Sequence, residues 1–116
     1  MNIEILRAYC LSKPQVTEHF PFDAVTLVFK VGGKIFALTN LEKYPPAVNL
    51  KSDPEISLDL QESYDEIKPG FHMNKKHWIT VTYSSLSDSF FYELLDNSYH
   101  LVVQSLTKKK RAELDL

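Results

Sequence analysis

The side chains best suited to gripping a ligand in this sequence are lysines and one tryptophan at alternating positions. Lys30, Lys51 and Lys76 share an outward parity with Trp78, Thr26, Asn49, Thr80 and Thr82, and this set contains no acid. A lysine ammonium holds phosphate as a point charge, and an indole offers a face for stacking a base or a side chain. The same residues also suit a plain solvated sheet face rich in Thr and Lys, with Trp78 covered by the loop of residues 64–71. A second run, His72-Met73-Asn74-Lys75-Lys76-His77-Trp78, sets two histidines five apart. Metal sites use about three or four protein ligands. No Cys or carboxylate lies in this run, so no metal is expected. His77 falls on the inward parity and reads as a hydrogen-bonded core histidine. Asn74 reads as closing the turn into the strand. A third run, Lys108-Lys109-Lys110-Arg111, reads as a phosphate-binding tail or, in preference, as favourable charge near the negative end of the last helix.

Nothing in the chain has the spacing of a catalytic motif. There is no G-x-S-x-G, no glycine-rich phosphate loop and no H-E-x-x-H, and the three glycines leave little room for backbone cradles. Glu18-His19 beside Phe20 is an acid–histidine pair without a nucleophile. The expectation is a protein with no catalytic residues, no metal and no cofactor.

The elements that must carry these residues follow from local pattern. Asn2 is placed to cap a first helix that ends near Lys13-Pro14, with Ile3, Leu6 and Cys10 inward. Residues 16–22 read as a loop. Residues 25–31 and 34–39 flank Gly32-Gly33, a two-residue hairpin turn tolerant of positive φ at both positions. That turn pairs Val31 with Lys34, Phe29 with Phe36 and Leu27 with Leu38. Val25, Leu27, Phe29, Val31, Phe36 and Leu38 then face inward, with Ala37 and Thr39 outward. Residues 47–52 form a short strand with Val48 and Leu50 inward. Asp53-Pro54-Glu55 starts a helix that stops by Ser63 or Tyr64. A strand over residues 76–83 alternates Ile79, Val81 and Tyr83 with Trp78, Thr80 and Thr82. Ser87-Asp88 caps a long last helix whose inward stripe is Phe91, Leu94, Leu95, Leu101 and Val102. The order α-β-β-β-α-β-α predicts an α+β two-layer sandwich, an antiparallel sheet with helices on one face.

Size and composition agree with this plan. A chain of 116 residues, 44% hydrophobic and 12% aromatic, is expected to fold as a single domain without staples. The lone Cys10 excludes a disulfide framework and suits a reducing compartment. The first residues lack the basic and apolar regions of a signal peptide, and no apolar run approaches the roughly 20 residues that span a bilayer. A cytoplasmic location away from membranes is expected. The net charge of −2 is unevenly spread: residues 53–66 hold six acids and no base, and residues 68–77 three lysines and no acid.

Residues 69–78, Pro-Gly-Phe-His-Met-Asn-Lys-Lys-His-Trp, followed by Thr80-Val81, resemble the hallmark of the MmcQ/YjbR family. Val31-Gly32-Gly33-Lys34 with Phe36-Ala37, residues 50–55, residues 85–88, Asp96-Asn97-Ser98-Tyr99 and Lys109-Lys110-Arg111 agree in order. The resemblance covers about residues 6–114. Ser87 departs from the family's frequent proline there, and serine caps equally well. The resemblance implies a two-layer α+β fold similar to secretion-chaperone-like proteins and a DNA-binding label tied to a double-wing motif. The matching wings here are the Gly32-Gly33 tip with Lys30 and Lys34, and the Lys75-Lys76 loop. It supplies no catalytic residue.

The functional expectation is non-catalytic contact with double-stranded DNA through Lys30, Lys34, Lys51, Lys75, Lys76 and Trp78. The alternative is a protein-interaction or chaperone-like module using the same aromatic surface and a protein partner. Three sheet lysines on three phosphates give a salt slope of only about −2.7. Weak binding is therefore expected, from a monomer or a weak dimer.

Overall fold

In the computed structural model, which describes residues 1–116, the helix starts lie where capping chemistry puts them. Asn2 Oδ1 accepts from the Ile5 amide at 2.9 Å and opens α1 (Ile3–Ser12). Asp53 Oδ1 accepts from the Glu55 amide at 3.0 Å and opens α2 (Pro54–Ser63). Ser87 Oγ accepts from the Phe90 amide at 3.3 Å and opens α3 (Asp88–Ser105). Each oxygen satisfies one of the amides that a helix leaves without an internal partner.

Six strands form one antiparallel sheet: β1 (Val16–His19), β2 (Thr26–Val31), β3 (Lys34–Asn40), β4 (Ala47–Lys51), β5 (Ile67–Pro69) and β6 (Trp78–Thr82). Their spatial order is β1-β2-β3-β4-β6-β5. A core of 19 residues lies between the sheet and the helices, centred on Leu6, Phe29, Phe36, Leu50, Ile79, Phe91 and Leu95. The outward parity of the strands leaves the opposite sheet face without a helix. The α+β sandwich expected from the sequence is therefore observed, with two edge strands and one short helix more than the pattern predicts.

Both additional strands are short, and one has a mixed composition. Residues 16–22 were expected to be loop; β1 forms because Val16 and Glu18 face the helix layer, where Glu18 accepts from Arg7 of α1 (Nε–Oε1 3.0 Å). β5 is three residues long and pairs Ile67 with Val81. The basic run at residues 108–111 does not extend α3. The chain leaves helical geometry at Leu106, and Thr107 caps a separate helix, α4 (Lys108–Glu113). Lys108 and Lys109 stand at its start, whereas Lys110 and Arg111 fall in its last turn, where positive charge is favourable. The run, expected beside the end of the long helix, instead forms a helix of its own.

The hairpin turn forms as expected, with Gly32 and Gly33 at φ of +59° and +80° and Val31 opposite Lys34. Its register does not hold beyond Lys30. A β-bulge moves the pairing so that Phe29 lies opposite Ala37, Val28 opposite Leu38 and Leu27 opposite Thr39. Ala37 and Thr39 are accordingly buried on the core side, and Leu38 is turned to the open face. The extra residue, Phe36, still packs in the core. Its displaced carbonyl accepts from Ser98 Oγ of α3 at 2.5 Å, and the same oxygen accepts from the Lys51 amide at 2.8 Å. One buried hydroxyl thus stands between β3 and β4, whose direct ladder comprises Ala37 with Leu50 and Leu38 with Asn49. Ser98 and Tyr99 join the buried stripe of α3, whereas Leu101 is half-buried.

Candidate functional site

Strand register decides which of the sequence-selected residues come together. Thr17, Lys30 and Ile35 lie opposite one another across β1, β2 and β3, and Lys51 lies opposite Trp78 across β4 and β6. One step along from the Ala37–Leu50 pair, these two sets form a single row on the open face. Lys30, Lys51 and Trp78 are half-buried, as residues with covered stems and accessible ends should be. Lys75 and Lys76 are exposed in the turn that leads into β6.

Lys34 is placed differently. It pairs with Val31 on the core parity of the hairpin, and its ammonium donates to the Ser105 carbonyl and Oγ, both at 3.3 Å. Lys30 and Lys34 therefore lie on opposite faces of the hairpin. This contact, with Leu106 packed against Gly32, draws the start of α4 to the hairpin tip; a Cβ at Gly32 would stand 2.7 Å from the Leu106 side chain. The start of α4, with Lys108, Lys109, Lys110 and Arg111 following, therefore reaches the hairpin tip on the face opposite Lys30. None takes part in an ion pair: the three ion pairs present join Met1 to Asp88, Arg7 to Glu18 and Lys13 to Asp96.

The segment of residues 70–77 has three separate duties. Gly70 lies against Trp78, where an added Cβ would come within 2.6 Å of the Trp78 Cβ, so only glycine fits. Asn74 closes the turn as expected: its Oδ1 accepts from the Lys76 amide at 2.9 Å, and its carbonyl accepts from the amides of His77 and Trp78. The strand begins only at Trp78, so His77 sits in that turn and is exposed. The expectation of a core histidine there is corrected. Phe71, His72 and Met73 fold back over the open face. Thr80 Oγ1 donates to Asn49 Oδ1 at 2.6 Å and accepts from the Phe71 amide at 2.8 Å, while Asn49 Nδ2 donates to the Phe71 carbonyl at 3.0 Å. This network pins the segment and walls a cleft of about 450 Å³ between it, Leu38 and the loop that carries Phe22 and Asp23. Parity reasoning missed the cleft because it assigned Leu38 to the core.

Of the groups with displaced proton affinities, Asp23 lines this cleft, its carboxyl held below the usual range by hydrogen bonds from the Val25 and Thr26 amides. The others lie in the core and on the helix layer. Burial, with the hydrogen bond to Asp96, pushes the Tyr9 phenol up to about 12. Burial likewise raises the Cys10 thiol to about 12, which leaves it protonated and unreactive at neutral pH. Burial works to raise the Asp96 carboxyl, but hydrogen bonds from Lys13 and Tyr9 and the charge of Lys13 outweigh it and hold it below the usual carboxylate range. The Lys13 ammonium also lies over the rings of Tyr9 and Tyr99, 4.9 and 5.2 Å from their centroids. These contacts join α1 to α3 and have a structural role. Glu18 is held by Arg7, and the His19 ring meets Thr17 Oγ1 at 2.7 Å, so the acid–histidine pair seen in the sequence does not converge.

Comparison with known proteins places this geometry among relatives. The YjbR family model matches residues 11–101. The uncharacterized protein YbdF of Escherichia coli O157:H7 is 44% identical over 107 residues, covering 91% of this chain and 88% of that protein. The uncharacterized protein YjbR of Escherichia coli K12 is 37% identical over 112 residues, covering 96% and 95%. The crystal structure of Deinococcus radiodurans protein DR2400, of domain type DUF419, superposes with a TM-score of 0.92 at 41% identity, covering 99% of this chain and 88% of that one. A Pseudomonas syringae protein superposes with a TM-score of 0.75 at 28% identity, covering 87% and 98%.

Proposed function

The chain belongs to the YjbR family, and from that premise we propose that it is a non-catalytic nucleic-acid-binding protein that grips double-stranded DNA weakly. The contact surface is the basic end of the open sheet face, with Lys30, Lys51, Lys75, Lys76 and Trp78 in direct reach and the start of α4 at the hairpin tip. One observation carries this reading: Lys30, Lys51 and Trp78 share the open sheet face, Lys75 and Lys76 are exposed in the turn that enters Trp78, and no carboxylate pairs with any of them. An unpaired ammonium exchanges counterions for phosphate without first breaking a salt bridge, and counterion release dominates affinity for duplex DNA. Trp78 adds an aromatic face beside Lys51.

Charge arithmetic sets the expected strength. Lys30, Lys51, Lys75 and Lys76 give a slope of log K against log salt of about −3.6, and the four charges at residues 108–111, where they also reach phosphate, bring it to about −7. With a net charge of −2 on the whole chain, binding belongs at low ionic strength. The test is an NMR titration with a short duplex at low and physiological salt. Shifts centred on the Trp78 indole and the amides of Lys30, Lys51 and Lys76, fading as salt rises, are expected. An absence of shifts at low salt removes the proposal. Salt-insensitive binding of a protein partner, lost in Trp78→Ala but kept in Lys76→Ala, overturns it in favour of a protein-contact module.

A further inference from the structure

On the same open face, starting at the Asn49–Thr80 pair that neighbours Lys51 and Trp78, lies the cleft of about 450 Å³. That volume is within the roughly 300–1,000 Å³ of small-molecule sites. We propose that this cleft binds a small ligand with a planar apolar body and one anionic group, of the aromatic carboxylate class. Lys30, Lys51 and Trp78 are absent from its lining, so the site is distinct from the nucleic-acid surface.

The apolar half of the ligand is specified by what the cleft leaves in water. The bulge in β3 turns Leu38 toward it, and Met73 lies beside it, half-buried. Phe71 and Phe22 on its rim are 57% and 66% exposed. Two large aromatic rings facing one concavity are covered favourably by a flat apolar group.

The polar half follows from which lining groups are already engaged. Asn49 and Thr80 are used up in holding Phe71. Asp23, the one carboxylate in the lining, accepts from the amides of Val25 and Thr26 and from Thr26 Oγ1, at 2.9, 2.6 and 3.0 Å. Three of its four acceptor positions are committed to its own turn, which leaves one on Oδ2. The groups left without a protein acceptor are donors. The Lys43 ammonium makes no ion pair and sits 5.1 Å from the centroid of the Phe71 ring. Asn40 Oδ1 accepts from the Glu42 amide at 2.9 Å, which leaves its amide nitrogen free to donate. The His72 ring packs on Phe71 with centroids 4.0 Å apart and forms no hydrogen bond. Free donors above an apolar floor select an acceptor, and the ammonium among them selects a charged one. For a cationic ligand the acceptor left is the single uncommitted position on Asp23 Oδ2, against three unpartnered donors for an anion.

The experiment is a heteronuclear NMR titration of the full chain with naphthoate, with neutral naphthamide and with acetate. Naphthoate is expected to give saturable shifts at Leu38, Phe71 and Met73, with a Kd of about 1 mM or tighter. Naphthamide is expected to bind about tenfold more weakly or worse, and acetate to produce no saturable shift. Lys43→Met should weaken naphthoate about tenfold and leave naphthamide unchanged. Leu38→Trp, which fills the cleft from a side chain outside the core, should abolish both. Absence of saturable shifts with naphthoate, equal affinity for naphthamide, or shifts at Trp78 and Lys51 instead would overturn the proposal.

Discussion

Asp96 shows how a single side chain fastens two helices and makes the fold sensitive to acid. It accepts from Tyr9 Oη at 2.6 Å and pairs with Lys13, so its carboxyl is held below the usual range despite partial burial. A folded-state value below the unfolded one means that the unfolded chain binds the proton more tightly. The stabilisation is therefore complete above about pH 4 and is lost as pH falls through the depressed folded value. In Asp96→Asn, the deficit in melting temperature relative to the natural chain should be largest near neutral pH and should shrink below about pH 4. A deficit independent of pH would show that the charge is immaterial. None of this was legible in the sequence, where Lys13 marked a helix end and Asp96 was only part of a family-like run. The caps at Asn2, Asp53 and Ser87 were legible, because an N-cap needs only neighbours within the same turn.

Between elements, the junction of β3 and β4 is the most informative. A strict two-residue alternation predicts Phe36 inward and Ala37 outward, and a bulge breaks that rule by placing two residues opposite one. What stabilises the irregularity is Ser98, on a helix more than sixty positions from Phe36, which donates to the Phe36 carbonyl of β3 and accepts from the Lys51 amide of β4. Ser98→Ala leaves a buried carbonyl and the Lys51 amide without partners, and should cost about 1–3 kcal/mol in equilibrium denaturation. A loss within a few tenths of a kcal/mol would mean that water takes over both bonds. No local pattern announces such a bond, so the sequence reading put Leu38 in the core and overlooked the cleft that Leu38 helps to line. The turn at Gly32-Gly33, the parity of β4 and β6, and the start and stop of α2 depended on near neighbours and were read correctly. β1 and β5 were missed because edge strands of three or four residues with mixed composition carry little periodicity.

Taken whole, the chain separates its charges from its core chemistry. Tyr9, Lys13 and Asp96 join two helices, while Lys30 and the start of α4 meet the hairpin tip on its two faces. Parity alone placed Lys30, Lys51 and Trp78 on the face opposite the helices, so that part of the candidate site was visible from the residue order. That the start of α4 reaches the hairpin tip was not visible, because it depends on Leu106 packing against Gly32 across the molecule. Replacing Lys108, Lys109, Lys110 and Arg111 together with Gln should reduce the magnitude of the salt slope for duplex DNA by about 3.6, leaving the Trp78 shifts in place. An unchanged slope would confine the contact to the sheet.

The sheet amounts to two ribbons, β1-β2-β3 and β4-β6-β5, and the seam between them is narrow. Lys51 and Trp78 ride on directly paired positions of one ribbon, so their separation is stiff. Lys30 rides on the other, so its spacing from Lys51 is set through the Ala37–Leu50 and Leu38–Asn49 pairs and the Ser98 bridge. On the proposed duplex contact, the span between those two ammonium groups is fixed across the Ser98 bridge and not within a single ribbon.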